Sequence, residues 1–167
     1  MWVEFQTIGT LLAFLAAAWY AVLTRRLLRE TSAQRQTDLA LRLMEEYDAL
    51  RAAIQNVQEW HLESAAAGVN AVERFREALE LDFATDDSKL VDDSRFKVSR
   101  FFVKVRKLSL AGFLDRRLIA AALSRAAVED VFLGLIDPLD QVVSCRHYGR
   151  PNITDRDFYR DLAKMYP

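Results

Sequence analysis

The stretch FQTIGTLLAFLAAAWYAVL, residues 5–23, is followed directly by TRRLLR, residues 24–29. Its nineteen residues carry no charge. At about 1.5 Å per residue, a helix of that length spans about 28 Å, close to the hydrocarbon thickness of a bilayer. Trp2 stands at one end and Trp19 and Tyr20 at the other, where aromatic rings settle at the two headgroup levels. The stretch therefore predicts a transmembrane helix.

Two other interpretations of residues 5–23 stay open at this point. A buried helix of a soluble core is one, although such helices are rarely this long without a charge. A cleaved signal peptide is the other, because AAA at 16–18 resembles a cleavage site. The preceding MWVE contains an acid and no Lys or Arg, whereas an export signal needs a positive start. A membrane anchor is favoured over both.

The charges that flank this stretch predict its direction in the membrane. Arg25, Arg26 and Arg29 follow it, whereas the side chains before it offer only Glu4. Because Lys and Arg stay on the cytoplasmic side, we expect a single-pass protein of the plasma membrane. Its short N-terminus would lie outside and its C-terminal domain in the cytoplasm.

The composition predicts an all-α fold. The chain has 167 residues with only five Gly and three Pro, and its single cysteine excludes an internal disulfide. We therefore expect two parts, a transmembrane anchor with its basic flank over residues 1–29 and a cytosolic helical domain over 30–167. The second part would be a bundle of about four to six helices. Residues 30–38 lack Gly and Pro, so continuation of the membrane helix is favoured over a flexible neck.

Charge is unevenly distributed although the net charge is only −1. Residues 30–93 contain fifteen acids and six bases, whereas residues 95–125 contain nine bases and one acid. The near-zero net charge points to no polyanionic partner for the whole protein. The excess of acids and the excess of bases therefore lie in separate segments of the chain.

A regular apolar stripe from Ala40 onward predicts one long helix that ends near residues 64–68. Its members recur at alternating steps of three and four, which places them on one helical face. They are Ala40, Leu43, Tyr47, Leu50, Ile54, Val57 and His61. A bundle helix is favoured over a coiled coil, because the stripe lasts only about three heptads.

Capping residues predict where the following helices begin and end. Asn70, with Glu73 three residues later, opens a second helix, and the acidic residues 84–93 form a loop. Ser94 caps a third helix over 95–110, which Gly112 ends. Its buried face would carry Val98, Phe101, Phe102, Val105 and Leu108.

The same signals predict the C-terminal third of the chain. Asp115 caps a helix over 116–136, and Asp137-Pro138 breaks it and restarts a short helix to about Cys145. Residues 146–152 form a loop, and Thr154 with Asp157 caps a last helix over 155–165. The inward residues of helix 116–136 would be Leu118, Ile119, Ala122, Leu123, Ala126, Phe132 and Leu135.

The run FFVKVRKLSLAGFLDRRLIAAALSRAAVEDVFLGLIDPLDQVV, residues 101–143, resembles an uncharacterised family of bacterial membrane-anchored helical proteins. The likeness lies in an aromatic-rich helix, the turn Gly112-Phe113-Leu114-Asp115 and a helix that ends before a proline. It implies one N-terminal span in a bacterial inner membrane and a cytosolic helical domain. The resemblance implies no activity and no functional residues.

No residue pattern points to catalysis, a cofactor or a metal, so we expect a protein that is not an enzyme. Cys145 and His147 offer two ligands, whereas a structural zinc site needs four. The acids near the 84–93 loop lack the order of a calcium loop. Neither His61 nor His147 stands by a nucleophile motif, and no glycine-rich phosphate loop occurs.

The one pattern with a functional interpretation is a row of four basic residues, here called the basic face. It consists of Lys97, Arg100, Lys104 and Lys107, whose spacing of three, four and three puts them on one side of the third helix. Three interpretations compete. The row pairs with the acidic helix over 40–63, faces anionic lipid beside the membrane, or contacts nucleic acid, which is the least favoured. In each case we expect the charged ends of these four side chains to be exposed to solvent.

By elimination, the expected function is that of a non-enzymatic, membrane-anchored interaction or scaffold protein. The alternative is an accessory or effector subunit of a membrane-associated stress or phage-defence system. The expected partners are membrane lipid and a protein, which includes a second copy of the chain. Small residues at helical spacing in the span suit close helix packing, namely Gly9, Ala13, Ala16 and Ala17.

Overall fold

A computed structural model describes the backbone of residues 2–166 and the side chains of residues 18–166. Every regular element in this part of the chain is helical, which confirms the predicted all-α fold. The elements are α1 Trp2–Ala49, α2 Arg51–Ala66, α3 Ala71–Glu80, α4 Asp86–Leu110, α5 Arg116–Ala122, a π-helix Ala127–Ile136, α6 Asp137–Tyr148 and α7 Ile153–Ala163.

The chain divides into two compact units, Met1–Asp38 and Leu39–Pro167. The backbone of α1 continues without a break through residues 30–38, as predicted. Most of the predicted membrane span, residues 5–17, lies outside the residues whose side chains the structure describes. Among the described residues, no helix combines the length and the apolar character that a membrane crossing requires.

The long helix predicted from residue 40 is interrupted at Leu50. The Leu50 amide donates to the Tyr47 carbonyl at 3.0 Å, a tightened turn, and α2 begins at Arg51. The prediction of one continuous helix is therefore wrong here, and no Gly or Pro marks this point in the sequence. α2 packs chiefly against α4, and its buried face carries Ile54, Val57 and Trp60.

The second predicted helix is confirmed as α3. The Asn70 side chain accepts hydrogen bonds from the amides of Val72 and Glu73 at 2.9 and 3.4 Å, which satisfies two donors of the first turn. The Glu73 carboxylate does not complete a capping box but pairs with Arg76. The buried residues of α3 include Phe75 and Leu79.

The acidic segment 84–93 is not a loop, and that prediction is wrong. Thr85 caps α4, with its hydroxyl accepting from the Ser88 amide at 3.2 Å. The acidic residues that follow lie in the first turn, where negative charge is stabilised by the helix dipole. Ser94, the predicted cap, lies inside α4 and is buried, where its hydroxyl accepts from the Asn56 amide group at 3.0 Å.

The helix predicted over 116–136 is broken after Ala122. Leu123 is extended, with φ −101° and ψ 131°, and its side chain is buried. The Ser124 hydroxyl then accepts from the Ala127 amide at 3.1 Å and restarts the helix. This break changes the helical phase, so Ala126 is exposed although it was predicted to face inward.

A π-helix follows, with backbone hydrogen bonds that span five residues instead of four. Its buried residues are Ala127, Val128, Val131, Phe132 and Ile136. The predicted break at Asp137-Pro138 is wrong, because the π-helix continues directly into α6. The missing amide of Pro138 falls in the first turn of α6, where a proline is tolerated.

The end of the chain differs from the prediction by a few residues. α6 extends to Tyr148 rather than to about Cys145, and Gly149 ends it with φ +66°. Asn152, not Thr154, caps α7 by accepting from the Thr154 amide at 3.3 Å. Phe158 of α7 is buried.

Aromatic rings occupy the centre of the second unit. Phe102 packs on Phe132 with ring centroids 4.7 Å apart, and Tyr159 contacts both rings at 5.1 and 4.4 Å. The Tyr159 hydroxyl donates to the Phe102 carbonyl at 2.6 Å, which satisfies its polar end inside the core. These contacts join α4, the π-helix and α7 and fix the side of α4 that faces the core.

Candidate functional site: the basic face of α4

α4 carries two sides of opposite character. Its inner side buries Phe101, Phe102 and Val105. The four residues of the basic face lie away from that core, and all four side chains are exposed. The predicted exposure of the basic face is therefore confirmed, whereas its ligand stays a prediction.

Lys104 is the member of the basic face that contacts an acid of the same chain. Its ammonium group lies 2.6 and 2.8 Å from the two carboxylate oxygens of Glu46 on α1. Both side chains are 47% exposed, so water screens the pair and its net contribution is below about 1 kcal/mol. Lys104 thus fits the interpretation in which the basic face pairs with the acidic helix.

The other three members fit that interpretation less well. Within residues 18–166, no carboxylate lies at salt-bridge distance from Lys97, Arg100 or Lys107. Their heads are in water, with the long stems on the helix surface. Internal pairing therefore accounts for one of the four charges, and three stay available to an external anion.

Apolar side chains accompany these charges, and the sequence analysis missed them. Phe96, Leu110 and Phe113 are 56, 64 and 64% exposed. Phe96, Arg100, Val103, Lys107 and Leu110 recur at steps of four, three, four and three, so they share one side of α4. That spacing was readable in the sequence, but the predictions assigned Phe96 and Leu110 neither to the buried face nor to the basic face.

A shallow hollow of about 460 Å³ lies beside the C-terminal half of α4. Its lining mixes basic heads with apolar surface, from Arg100, Val103, Lys104, Lys107, Leu108, Ala111 and Phe113. An anionic group attached to an apolar body matches such a surface. Water-soluble polyanions, by contrast, would leave its apolar part uncovered.

The turn after α4 holds Phe113 in place. Gly112 has φ +75°, a conformation that a side chain makes costly, and its amide donates to the Ser109 carbonyl at 3.0 Å. The Phe113 amide donates to the Leu108 carbonyl at 3.0 Å, which completes a Schellman motif. Asp115 then caps α5 by accepting from the Arg117 amide at 2.7 Å. The predicted helix end at Gly112 and the cap at Asp115 are both confirmed.

Two other basic residues of α4 point inward. Arg95 is buried and pairs with Asp92 at 2.7 Å and with Asp140 of α6. Burial raises the pKa of the Asp140 carboxyl, although the positive charge of Arg95 acts in the opposite direction. Arg106 pairs with the buried Asp155 of α7. These ion pairs connect α4 to α6 and α7 and are part of the fold.

The predicted membrane flank lies on the described part of α1. Arg25, Arg26 and Arg29 are exposed, and Arg26 pairs with Glu30 one turn later at 3.0 Å. Large apolar side chains around this flank are also exposed, with Trp19 and Tyr20 at 67 and 74%. Within the first unit the flank therefore carries charged and apolar groups that no part of the described chain covers.

The two histidines and the cysteine lie on two helices, α2 and α6. His61 on α2 is half-buried, whereas Cys145 and His147 are exposed near the end of α6. Among the described residues, no three His, Cys, Asp or Glu side chains converge on a point that would hold a metal ion.

Comparisons with protein-family models, with curated proteins and with solved structures found no match to this chain.

Proposed function

We propose that this protein is a non-enzymatic, membrane-anchored interaction or scaffold protein. Residues 5–23 form the anchor, and the helical unit that follows contacts the anionic inner surface of the membrane through the basic face. The observation that carries this proposal is the exposed side of α4. It presents three positive charges that no carboxylate of residues 18–166 pairs with, together with Phe96, Leu110 and Phe113.

The chemistry of that side favours an anionic lipid surface. A basic side chain near such a surface contributes about 1 kcal/mol of attraction. Exposed Phe and Leu side chains insert at the boundary between headgroups and acyl chains, which adds apolar burial. Nucleic acid would engage the charges alone, and the acidic first half of the chain would oppose it.

The anchor rests on separate support. Residues 5–23 are free of charge over a length that matches a bilayer, and three arginines follow them. The described end of this stretch exposes Trp19 and Tyr20, as aromatic residues at a headgroup level would be. A membrane would cover these rings and place the arginines in the cytoplasm.

The location is tested with reporters fused to the C-terminus of the full-length protein. A fluorescent reporter that matures only in the cytoplasm should be active, and a phosphatase that needs the periplasm should be silent. Replacing Arg25, Arg26 and Arg29 together with Glu should weaken or reverse that pattern. An active phosphatase on the unmodified protein would contradict the proposed direction, and protein released by alkaline carbonate would contradict the anchor.

The lipid contact is tested on the full-length protein in nanodiscs of neutral lipid and in nanodiscs with about 30% anionic lipid. Amide hydrogen exchange over residues 96–113 should slow with anionic lipid and recover as salt rises, because the Debye length falls from about 10 Å at 0.1 M to about 3 Å at 1 M. Exchange over residues 51–66 should not respond.

The variant for this test replaces Lys97, Arg100 and Lys107 with Gln. Its matched control replaces three exposed bases elsewhere, Arg42, Arg51 and Lys89, with Gln. Both variants lose three charges, so only a specific role of the basic face separates them. Loss of the lipid response in the first variant alone supports the proposal, and an equal response in both contradicts it.

A further inference from the structure

A second groove lies in the same unit, between α3 and α6 with one contribution from α7. Its volume is about 620 Å³, within the range of about 300–1,000 Å³ that is usual for small-molecule sites. α3 and α6 each present one face to it. The lining residues of α6 recur at steps of three, one, three and one, and they are Pro138, Gln141, Val142, Cys145 and Arg146.

The floor of the groove is apolar and its edges carry guanidinium groups. Leu79 and Val142 are buried in the floor. Arg76, Arg146 and Arg156 come from three different helices and line the same space, together with the single acid Glu80. Apolar floor and cationic edge together match a ligand that is itself divided into an apolar body and an acidic head.

Contacts within the fold hold two of these guanidinium groups in position. Arg156 donates through Nε to the buried carboxylate of Asp137 at 2.6 Å, and the Gln141 amide group supports the same carboxylate at 2.8 Å. Arg146 donates through Nη1 to the Leu79 carbonyl. A guanidinium carries five N–H donors, so both groups keep donors for a ligand. Because their positions are already restrained, less conformational freedom is lost on binding.

The three arginines of the groove differ in whether a carboxylate of the chain already pairs with them. Arg156 and Arg76 pair with Asp137 and Glu73, at 2.6 and 2.5 Å. Within residues 18–166, Arg146 has no carboxylate at salt-bridge distance, and its contact is to a neutral carbonyl. Arg146 is therefore the side chain that would gain most from an external anion, through a planar bidentate contact.

We propose that this groove binds a small amphiphilic anion, with its carboxylate or phosphate head on Arg146 and its apolar body on Val142 and Leu79. Arg76 and Arg156 border the same groove and assist in holding the head. The site is separate from the basic face and does not depend on the lipid contact of that face.

Cys145 provides a reporter for occupancy, because it lines the groove and is exposed. The experiment measures the rate at which iodoacetamide alkylates Cys145 in the full-length protein. The probes are phenyl phosphate and benzoate, and the controls are inorganic phosphate, which lacks the body, and phenol, which lacks the head. A probe that fills the groove should slow alkylation in a saturable way.

We expect at least one of the two amphiphilic anions to protect Cys145 at a concentration about tenfold below that of phenol or inorganic phosphate. The anion that protects Cys145 at the lower concentration identifies the preferred head group as phosphate or carboxylate. Arg146→Gln should raise the required concentration about tenfold or more, because a hydrogen bond to a charged group is lost. Arg160→Gln, an exposed arginine of α7 outside the groove, should leave it unchanged.

Arg76→Gln provides an independent variant if Arg146→Gln disturbs the end of α3. It should weaken protection without changing the melting temperature, because Arg76 pairs only with an exposed glutamate. The proposal is overturned if neither phenyl phosphate nor benzoate protects Cys145. It is equally overturned if the controls protect as well as the amphiphilic anions, or if both arginine variants bind like the unmodified protein.

Discussion

Arg95 and Arg100 lie five residues apart on α4 and occupy opposite environments. Arg95 is 7% exposed and its guanidinium contacts the carboxylates of Asp92 and Asp140, and it lies 5.8 Å from the ring of Phe75. Arg100 is exposed, and within residues 18–166 no carboxylate lies at salt-bridge distance from it. A count of charge along the sequence treats the two as one basic segment. The structure divides that segment into arginines that hold the bundle together and basic residues left for a partner.

The sequence left open whether the basic residues of α4 pair within the fold or face an external partner. The structure shows that this differs from one residue to the next. Arg95 and Arg106 pair internally where charge is screened least. Lys104 pairs at the surface with Glu46, and Lys97, Arg100 and Lys107 do not pair within the described residues. The division predicts that mutations in one small segment have very different costs.

The largest expected effect follows from Arg95→Leu. The change leaves Asp140 largely buried without its cation, and breaking a buried pair in this way costs about 3–5 kcal/mol of unfolding free energy. Urea denaturation followed by circular dichroism measures it. Adding Asp140→Asn to the same chain should recover part of the loss, because the unpaired charge is removed. A loss of unfolding free energy below about 1 kcal/mol would show that Arg95 contributes no more than the surface residues do, which contradicts the contrast with Arg100.

The turn that ends α4 should give an intermediate effect. Gly112→Val should destabilise by about 1–2 kcal/mol, because the position has φ +75° and a side chain is strained there even though nothing lies within 4 Å of the added carbon. Asp115→Ala removes the cap of α5 and should cost about 1 kcal/mol. Thermal unfolding of both variants measures the effects. Melting at the unmodified temperature would show that the turn does not hold the exposed end of α4.

Surface pairing should have a small effect. Lys104→Ala should cost less than about 1 kcal/mol, because both partners of the Lys104–Glu46 pair are exposed to solvent. Lys97→Ala should change stability by no more than about 0.5 kcal/mol. Both are measured by the same denaturation as Arg95→Leu. If Lys97→Ala were as costly as Arg95→Leu, the basic face would belong to the fold and not to a partner surface.

His61 provides a third case for this comparison, because it is a partly buried base that has no charged partner in the described part of the chain. Burial lowers the pKa of His61 from its ordinary value of 6.5, although a backbone hydrogen bond with Leu135 acts the other way. The unfolded chain therefore binds a proton more readily than the folded one between the two pKa values. The stability from neutral His61 is fully present above pH 6.5 and should fall as the pH drops below it.

The measurement compares the pH dependence of unfolding free energy, from pH 7.5 to 5, with that of His61→Gln. The variant cannot titrate at this position, so its curve should be flatter over that interval. Parallel curves for the two proteins would show that His61 has the same proton affinity in both states.

The local features of the fold were readable because each depends on a few neighbouring residues. Asn70 and Asp115 cap helices as predicted, since a short polar side chain can reach the free amides of its own first turn. Gly112 ends α4 as predicted, since only glycine adopts its backbone angles at low cost. Exposure of the basic face followed from spacing alone, because charged heads on the side opposite an apolar stripe stay in water.

Other local signals were present but were misread. Thr85 followed by two aspartates is a helix start, whereas the acidic composition of 84–93 predicted a loop. Asn152 precedes Thr154 by two residues and caps α7 in its place. In both places a second residue of capping type lies inside the helix. Burial separates Thr85 from Ser94, which is buried, but not Asn152 from Thr154, since both are exposed.

The sequence by itself determined the helical class, the helix boundaries at Asn70, Gly112 and Asp115, the uncharged stretch 5–23 with its arginine flank, and the row of exposed bases. Tertiary structure decided the burial of Leu123 and the pairing of Arg95 with Asp140, and no local signal predicted the interruption at Leu50 or the π-helix. The physical reason is distance along the chain. Caps, periodicity and hydropathy act within about one or two helical turns. Burial of Leu123 and neutralisation of Arg95 depend on groups brought together by the fold, as Asp140 is, 45 residues away from its arginine.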